Sequence, residues 1–185
     1  MRSGKTRGSS GAALFAILFF CATTLQAKKL EVKRSNVAFL SSAPMETIRG
    51  AGATATGTVD LSLKTVRIAV RLADFSTGQS RRDEHLRERY LQVEQFPEAV
   101  FEGKITSGDE NSENITVTGI MRLHGVVREG VVLTGALRRE NGLYNLKSSF
   151  VIRLSDYNIE IPKFVIMKLS DEISVTTELF FEVSE

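Results

Sequence analysis

The sequence predicts an all-β fold, an eight-stranded antiparallel barrel with one short helix between strands 3 and 4. Two observations lead to this prediction. Apolar and polar residues alternate along eight separate runs, which is typical of strands that bury one face. Only the segment from Ser80 to Leu91 has apolar residues at helical spacing. Strands with one buried face can close into a barrel, which removes exposed edges; a two-sheet sandwich is the structural alternative.

The predicted strands follow one another with turn-forming residues between them. In the third strand Val66, Ile68 and Val70 share one face, while Arg67 and Arg71 lie on the other. The eight runs cover residues 35–41, 57–64, 65–75, 98–105, 114–125, 129–138, 145–155 and 172–183. The stretches 50–57, 107–114 and 139–142 are rich in glycine, asparagine or acidic residues and are interpreted as turns or loops.

The alternation assigns a set of large apolar side chains to the inward face. These candidate cavity-lining residues are Leu61, Ile68, Val70, Phe101, Val117, Met121, Phe150, Ile152, Leu179 and Phe181. Small or polar residues share that face, namely Gly103, Gly119, Gly135, Ser148 and Thr177. Such a mixture is consistent with large-to-small packing of a solid interior or with an elongated apolar cavity. Strand length favours an extended lipid chain over a compact ligand, and composition alone does not choose between these interiors.

The one helical segment is predicted near Arg81–Leu91. Ser80 is the expected N-cap, with Asp83 three residues later at capping-box spacing. The stripe formed by Leu86, Tyr90 and Val93 is expected to cover part of the barrel, and Pro97 follows the helix.

His85 is a candidate for a metal site or a catalytic site, because it lies among acidic and basic residues in this helix. His124 is the only other histidine and is expected to face outward, so a metal site would have to recruit carboxylates from elsewhere. We therefore expect no metal and no cofactor. His85 is predicted to be structural, bonded to a nearby carboxylate or backbone carbonyl.

Nothing in the motifs predicts an enzyme. The chain has one cysteine, Cys21, and no serine elbow of the G-x-S-x-G type. The stretch 50–55 matches a relaxed dinucleotide-binding pattern, but alternating residues follow where a helix should begin. A glycine-rich loop or a bent strand is the better interpretation, and no catalytic residues are assigned.

Residues 1–27 are interpreted as a secretory signal peptide, cleaved near Ala27, with an uncleaved anchor as the alternative. They combine three basic residues with an apolar stretch too short to span a bilayer. Removing those three from the chain's 24 basic residues leaves 21 against 22 acidic ones, so the basicity belongs to the signal. We expect no nucleic-acid partner. Export of a cysteine-free domain, residues 28–185, favours a periplasmic or secreted location.

Several segments together resemble the YceI-like family of bacterial proteins. In the first, Thr77, Gly78, Arg82, Asp83, His85 and Leu86 lead into a short helix, followed by Phe96, Pro97, Ala99 and Phe101. In the second, Gly119, Met121, Leu123, Gly125, Val126 and Val131 are similar to the family's hairpin. The opening strands, within residues 35–61, are similar too. Asn158 stands where the family usually has glycine.

The resemblance implies a lipocalin-like barrel holding a polyisoprenoid or isoprenoid quinone, and so a periplasmic lipid-binding protein without enzymatic activity. The ten inward residues would then be lipid-binding. Transient membrane contact is expected, and the oligomeric state stays open, a homodimer included. The alternatives are an envelope-stress or interaction protein with a packed barrel, and a quinone-linked enzyme or electron-transfer partner.

Overall fold

The computed structural model describes residues 28–161 and 169–184. The predicted signal peptide, residues 1–27, lies outside the described residues. The nine strands are β1 (Lys29–Ser42), β2 (Thr47–Ala53), β3 (Ala55–Asp60), β4 (Thr65–Arg71), β5 (Glu98–Ser107), β6 (Ile115–Leu123), β7 (Val126–Glu140), β8 (Leu143–Arg153) and β9 (Glu172–Ser184). The helical elements are a 3-10 turn (Leu72–Asp74), helix α1 (Ser80–His85), a π-helical turn (Leu86–Tyr90) and a second 3-10 turn (Leu154–Tyr157).

The strands form one closed antiparallel barrel, which confirms the predicted fold class and excludes the sandwich. Each strand from β3 to β9 pairs with the next along the chain, and β9 pairs with β1. Strands β2 and β3 both pair with β1, one beside its second half and the other beside its first residues. They therefore occupy a single position in the wall, so the nine strands make an eight-stranded barrel.

The glycine-rich stretch 50–57, expected to be a turn or a bent strand, is a bent strand. It spans most of β2 and the start of β3, with a break at Thr54. A Cβ atom at Gly50 would lie 2.2 Å from the ring of Phe39, so that glycine lets the ring lie against the neighbouring backbone. The second predicted strand extends too far, because β3 ends at Asp60 and residues 61–64 form a turn in which Leu63 is exposed.

One end of the barrel is packed solid with apolar side chains. Tyr144, Phe181, Leu30, Leu137 and Val59 are at most 2% exposed, and they lie near the strand ends that carry the short turns. This end also satisfies the buried phenol, because the Tyr144 hydroxyl donates a 3.1 Å hydrogen bond to Glu110.

Glu110 is in turn ion-paired with Lys28, whose ammonium lies 5.0 Å from the centre of the Tyr144 ring. A hydrogen bond from Lys28 and, to a smaller extent, one from Tyr144 lower the pKa of the Glu110 carboxyl. The hydroxyl of Tyr144 thus has a hydrogen-bond partner at the closed end.

Two inward glycines serve close backbone approach and leave no room for a ligand. Gly103 and Gly119 face each other across β5 and β6. A Cβ atom at Gly119 would lie 2.1 Å from the carbonyl oxygen of Glu102 and 2.5 Å from the Cα atom of Gly103. A side chain at this point would force the two strands apart.

We therefore expect Gly119→Ala to destabilise the barrel by about 1–3 kcal/mol, the usual cost of overpacking. In a domain of this size the melting temperature should fall by roughly 2–4 °C per kcal/mol. Thr118→Ala, on the outward side of the same strand, is the control and should change stability by no more than about 0.5 kcal/mol. Equal thermal unfolding curves for the two variants would contradict the close-approach explanation.

Candidate functional site

The other end of the barrel contains a long apolar cavity of about 480 Å³. Its lining on β6 extends from Ile115 to Leu123. Eight residue steps at about 3.3 Å give roughly 26 Å along that strand. With a strand tilt of about 40°, the cavity is roughly 20 Å long on the barrel axis. The volume lies within the usual range of small-molecule sites, and the shape suits an extended apolar chain.

Eight of the ten predicted lining residues do line this cavity. They are Ile68, Val70, Phe101, Val117, Met121, Phe150, Ile152 and Leu179. The other two lie elsewhere: Leu61 lies in the turn after β3, and Phe181 is part of the closed end. Strand alternation identifies the inward face, but it does not show where the barrel is hollow. A lipid-binding role for these residues stays a prediction.

The small inward residues divide in the same way. Gly135, Ser148 and Thr177 line the cavity, whereas Gly103 and Gly119 do not. The sequence analysis missed lining residues outside the strands, because α1 and the connection after β8 contribute through tertiary contact. Leu154, Ile159 and Leu169 come from that connection.

The predicted helix covers this open end, but its second half differs from the expectation. After α1, Leu91 N–H donates to the carbonyl oxygen of Leu86 at 2.9 Å, which is the i to i−5 spacing of a π-helical turn. The wider turn lets Leu86, Tyr90 and Leu91 all line the cavity. Val93, the third member of the predicted stripe, packs against the core but does not line the cavity.

Charged and titratable groups lie at one end of the lining. Within the described part of the chain the acidic, basic and histidine side chains of the lining are Glu46, Arg81, Arg82 and His85, and the phenol of Tyr90 also lines the cavity. Arg82 is ion-paired with Glu46, which joins the helix to the loop between β1 and β2. The cavity thus combines an apolar shaft with a charged mouth, which is suited to a molecule with a long hydrocarbon tail and a polar head.

Asp83 holds the helix at the mouth. Its carboxylate accepts hydrogen bonds from the Thr77 N–H at 2.7 Å, the Thr77 hydroxyl at 2.6 Å and the Ser76 hydroxyl at 2.7 Å. The predicted role of Ser80 as N-cap is wrong, because Gln79 occupies the cap position and makes no side-chain capping bond. Asp83 instead reaches back to the loop that precedes the helix.

Burial of the Asp83 carboxyl by itself would raise its pKa. The hydrogen bonds from Thr77 and Ser76, with the positive charge of Arg87, outweigh burial and lower the pKa below its ordinary value. A lowered folded-state pKa means that ionised Asp83 stabilises the fold above the unfolded value of about 3.9. That contribution is lost as the pH falls through the folded-state pKa.

The hydrogen bond expected for His85 is not present among the described residues, where its ring lines the mouth of the cavity, and its structural role stays a prediction. The outward orientation expected for His124 is wrong, because its Nε2 is buried. Its Nδ1 lies 3.1 Å from the carbonyl oxygen of Tyr157, and its ring centre lies 4.8 Å from that of Phe96. A backbone φ of 51° at His124 ends the alternation there and turns the ring inward.

Over residues 28–161 and 169–184, no group of three or more histidine, cysteine or acidic side chains is arranged to hold a metal ion. In the same residues no helix has both the length and the apolar character needed to cross a membrane.

The bonds of Asp83 lead to a prediction with a matched control on the same helix. Asp83→Asn should destabilise the protein by about 1–3 kcal/mol at neutral pH, because the charge-assisted bonds to Ser76 and Thr77 are weakened or lost. His85→Ala should cost about 0.5 kcal/mol or less, since no hydrogen bond is lost. Thermal unfolding measured from neutral pH to below pH 4 provides the test. The gap between the wild-type protein and Asp83→Asn should close in acid, and a gap that is independent of pH would contradict this role of Asp83.

Comparison with solved structures shows the same fold in proteins of low sequence identity. Burkholderia cenocepacia BcnA matches with a TM-score of 0.68 at 18% identity, covering 80% of this chain and 98% of that one. A polyisoprenoid binding domain from Saccharophagus degradans matches with a TM-score of 0.68 at 16% identity, covering 85% and 99%. The YCEI protein of Campylobacter jejuni matches with a TM-score of 0.61 at 20% identity, covering 75% and 86%.

No curated protein matches the sequence. The model of the YceI-like domain family, by contrast, matches residues 29–181, which include every strand from β1 to β8 and most of β9. The matched region contains the bent glycine-rich strand, the helix with its buried aspartate and the cavity. The protein belongs to the YceI-like family.

Proposed function

We propose that this protein binds a polyisoprenoid or isoprenoid-quinone lipid in the barrel cavity and carries, stores or sequesters it in the periplasm. The observation that carries the proposal is a long apolar cavity whose only charged lining, among the described residues, lies at its mouth. The Saccharophagus degradans neighbour is described as a polyisoprenoid binding domain, which supports the ligand class.

The lining provides affinity for a hydrocarbon chain without a need for many polar contacts. Each methylene transferred from water to an apolar environment contributes about 0.8 kcal/mol. Over a cavity roughly 20 Å long, several prenyl units would leave water together. The hollow interior favours ligand binding over the alternative of a packed barrel.

The mouth offers a place for the polar head of the lipid. Arg81 is exposed there, and Arg82 and Glu46 form an ion pair at the same end. A head group such as a quinone ring, a hydroxyl or a phosphate would stay in contact with water and these side chains, while the tail occupies the shaft. Orientation with the head at the mouth follows, because a polar head at the closed end would be buried without partners.

The periplasmic location rests on the predicted signal peptide and on the absence of cysteine after Cys21. A role as a carrier agrees with a shaft whose contacts are mainly hydrophobic, since such a shaft holds a hydrocarbon tail without altering it. No enzymatic activity is proposed. His85 at the mouth is the residue to examine if a quinone-linked reaction is found, because its ring has no bonded partner among the described residues.

Filling the cavity should abolish lipid binding while the barrel still folds. Val70→Trp places a large ring in the shaft, and the purified variant should then contain far less lipid by organic extraction and mass spectrometry. Lys104→Trp is the matched control, because Lys104 is exposed on the outer side of the neighbouring strand β5. The control should retain the lipid content of the wild-type protein.

A circular dichroism spectrum dominated by strand, with cooperative melting, should be obtained for both variants. Unchanged lipid content in Val70→Trp and in a second lining variant, Met121→Trp, would show that the cavity is not the binding site. Extraction of the wild-type protein also identifies the lipid and the length of its chain.

A further inference from the structure

The wall of the barrel is open at one seam. Strands β7 and β8 pair from Glu140 opposite Leu143 up to Gly135 opposite Ser148, and the pairing ends there. Beyond this level, residues 126–134 of β7 pair only with β6, and residues 149–153 of β8 pair only with β9. We call the gap between these two unpaired strand segments the β7–β8 window.

The window has defined lower and upper boundaries. At its lower corner the Ser148 hydroxyl donates a 2.6 Å hydrogen bond to the carbonyl oxygen of Thr134. At its top, Arg128 of β7 and Asp156, just after β8, form an ion pair at 3.0 Å. The five residues 149–153 at about 3.3 Å each make the window roughly 16 Å tall.

A local distortion of β7 lies within its unpaired segment. Opposite Gly119–Met121 of β6, β7 has the extra length of a bulge between Arg128 and Val131. Gly130 lies within it with a φ of 70°, a conformation that glycine adopts without strain. A bulge bends its strand and increases the local twist, so the position of this one agrees with the separation of β7 from β8.

An apolar path crosses the wall at the window. On the outer surface Val132 is 57% exposed and Val151 is 59% exposed, and they would face each other if the pairing continued. On the inner side Leu133, Phe150 and Ile152 line the cavity. These three are only partly buried, as are the lining residues Ile68 and Val70 of β4, so the apolar surface at the window is continuous from the exposed valines to the cavity.

We propose that the β7–β8 window is a lateral portal through which the hydrocarbon tail of the lipid enters and leaves the cavity. The inference rests on the proposed function and adds a route to it. A tail that passes sideways through an apolar gap need not be threaded along its length past the charged mouth. The head group can stay in water throughout the transfer.

The window is a passage and not a resting place for the chain. Its two edges carry backbone N–H and C=O groups that have no partner strand, and these groups need water. A hydrocarbon chain held between them would remove that water and leave the backbone groups without hydrogen-bond partners, which is unfavourable. The tail therefore rests in the shaft and crosses the window only during exchange.

The test is to tie the window shut and measure exchange. Val132→Cys with Val151→Cys, in a Cys21→Ser background, places a thiol on each edge. A short bis-methanethiosulfonate reagent bridges them, and dithiothreitol removes the bridge. The protein is loaded from phosphatidylcholine vesicles that contain undecaprenol, and the rates of uptake and release are followed with the total amount bound.

Two further thiol pairs complete the design. Ala136→Cys with Lys147→Cys lies on the same hairpin just below the window, where the strands already pair. Glu46→Cys with Arg82→Cys bridges the mouth at its ion pair. The three variants, with and without the bridge, and the Cys21→Ser parent are compared for melting temperature and oligomeric state.

Bridging the window should slow both uptake and release at least tenfold, leave the amount bound at equilibrium unchanged, and be reversed by dithiothreitol. The pair on the hairpin below should have no effect. Unchanged rates in the bridged window variant, with slow exchange in the bridged mouth variant, would overturn the portal and leave the proposed function intact. An absence of bound undecaprenol in the unbridged protein, together with no prenyl lipid in its organic extract, would overturn both. Conversion of a dimer to a monomer on bridging would overturn the portal in favour of strand pairing between copies.

Discussion

The structure depends above all on the antiparallel pairing of β1 with β9. These two strands stay in register from Lys29 opposite Ser184 to Ser41 opposite Ile173, through one bulge near Lys33. This pairing closes the sheet, so every strand except β2, which pairs with β1 alone, acquires neighbours on both sides over part of its length. Closure also separates the interior of the barrel from its outer surface. In an open sheet the same alternation of residues would produce one apolar face, but no enclosed cavity.

Closure of a barrel this size leaves an interior that side chains can nearly fill, and the protein uses its two ends differently. At one end Tyr144, Phe181 and their neighbours fill the space, and the pair formed by Glu110 and Lys28 satisfies the phenol. Toward the other end the inward side chains do not fill the interior, and they line the cavity. The cavity therefore has one closed end and one accessible end, which gives a bound lipid a direction.

The helix at the accessible end is held by a buried carboxylate and not by its length. Six α-helical residues form a marginal helix on their own. The bonds from Ser76 and Thr77 to Asp83 tie the preceding loop to the first turn, and Leu86 and Tyr90 bury the second half of the helix against the cavity. The outward side of the helix can then carry arginines, which places charge at the mouth and nowhere deeper in the described lining. Asn158 follows the 3-10 turn after β8 and adopts a left-handed φ of 55°. Asparagine tolerates this conformation better than most residues, so the turn can form with asparagine where the resemblance to the family leads one to expect glycine.

The sequence by itself determined most of the strands, their antiparallel arrangement, the position of the one helix and the inward face of each predicted strand, because side-chain direction alternates along a strand. Eight of ten predicted lining residues follow from that rule alone. Closure into a barrel and not a sandwich was decided by the pairing of β1 with β9. The tertiary structure decided where the barrel is hollow, so Phe181 packs in the closed end although it faces inward. It also decided that Gly103 and Gly119 bring two backbones together, that His85 lines the mouth, and that β7 separates from β8. These features depend on which distant residues meet across the barrel and on how far a bulge bends its strand. The spacing of residues along one strand predicts neither of these two properties.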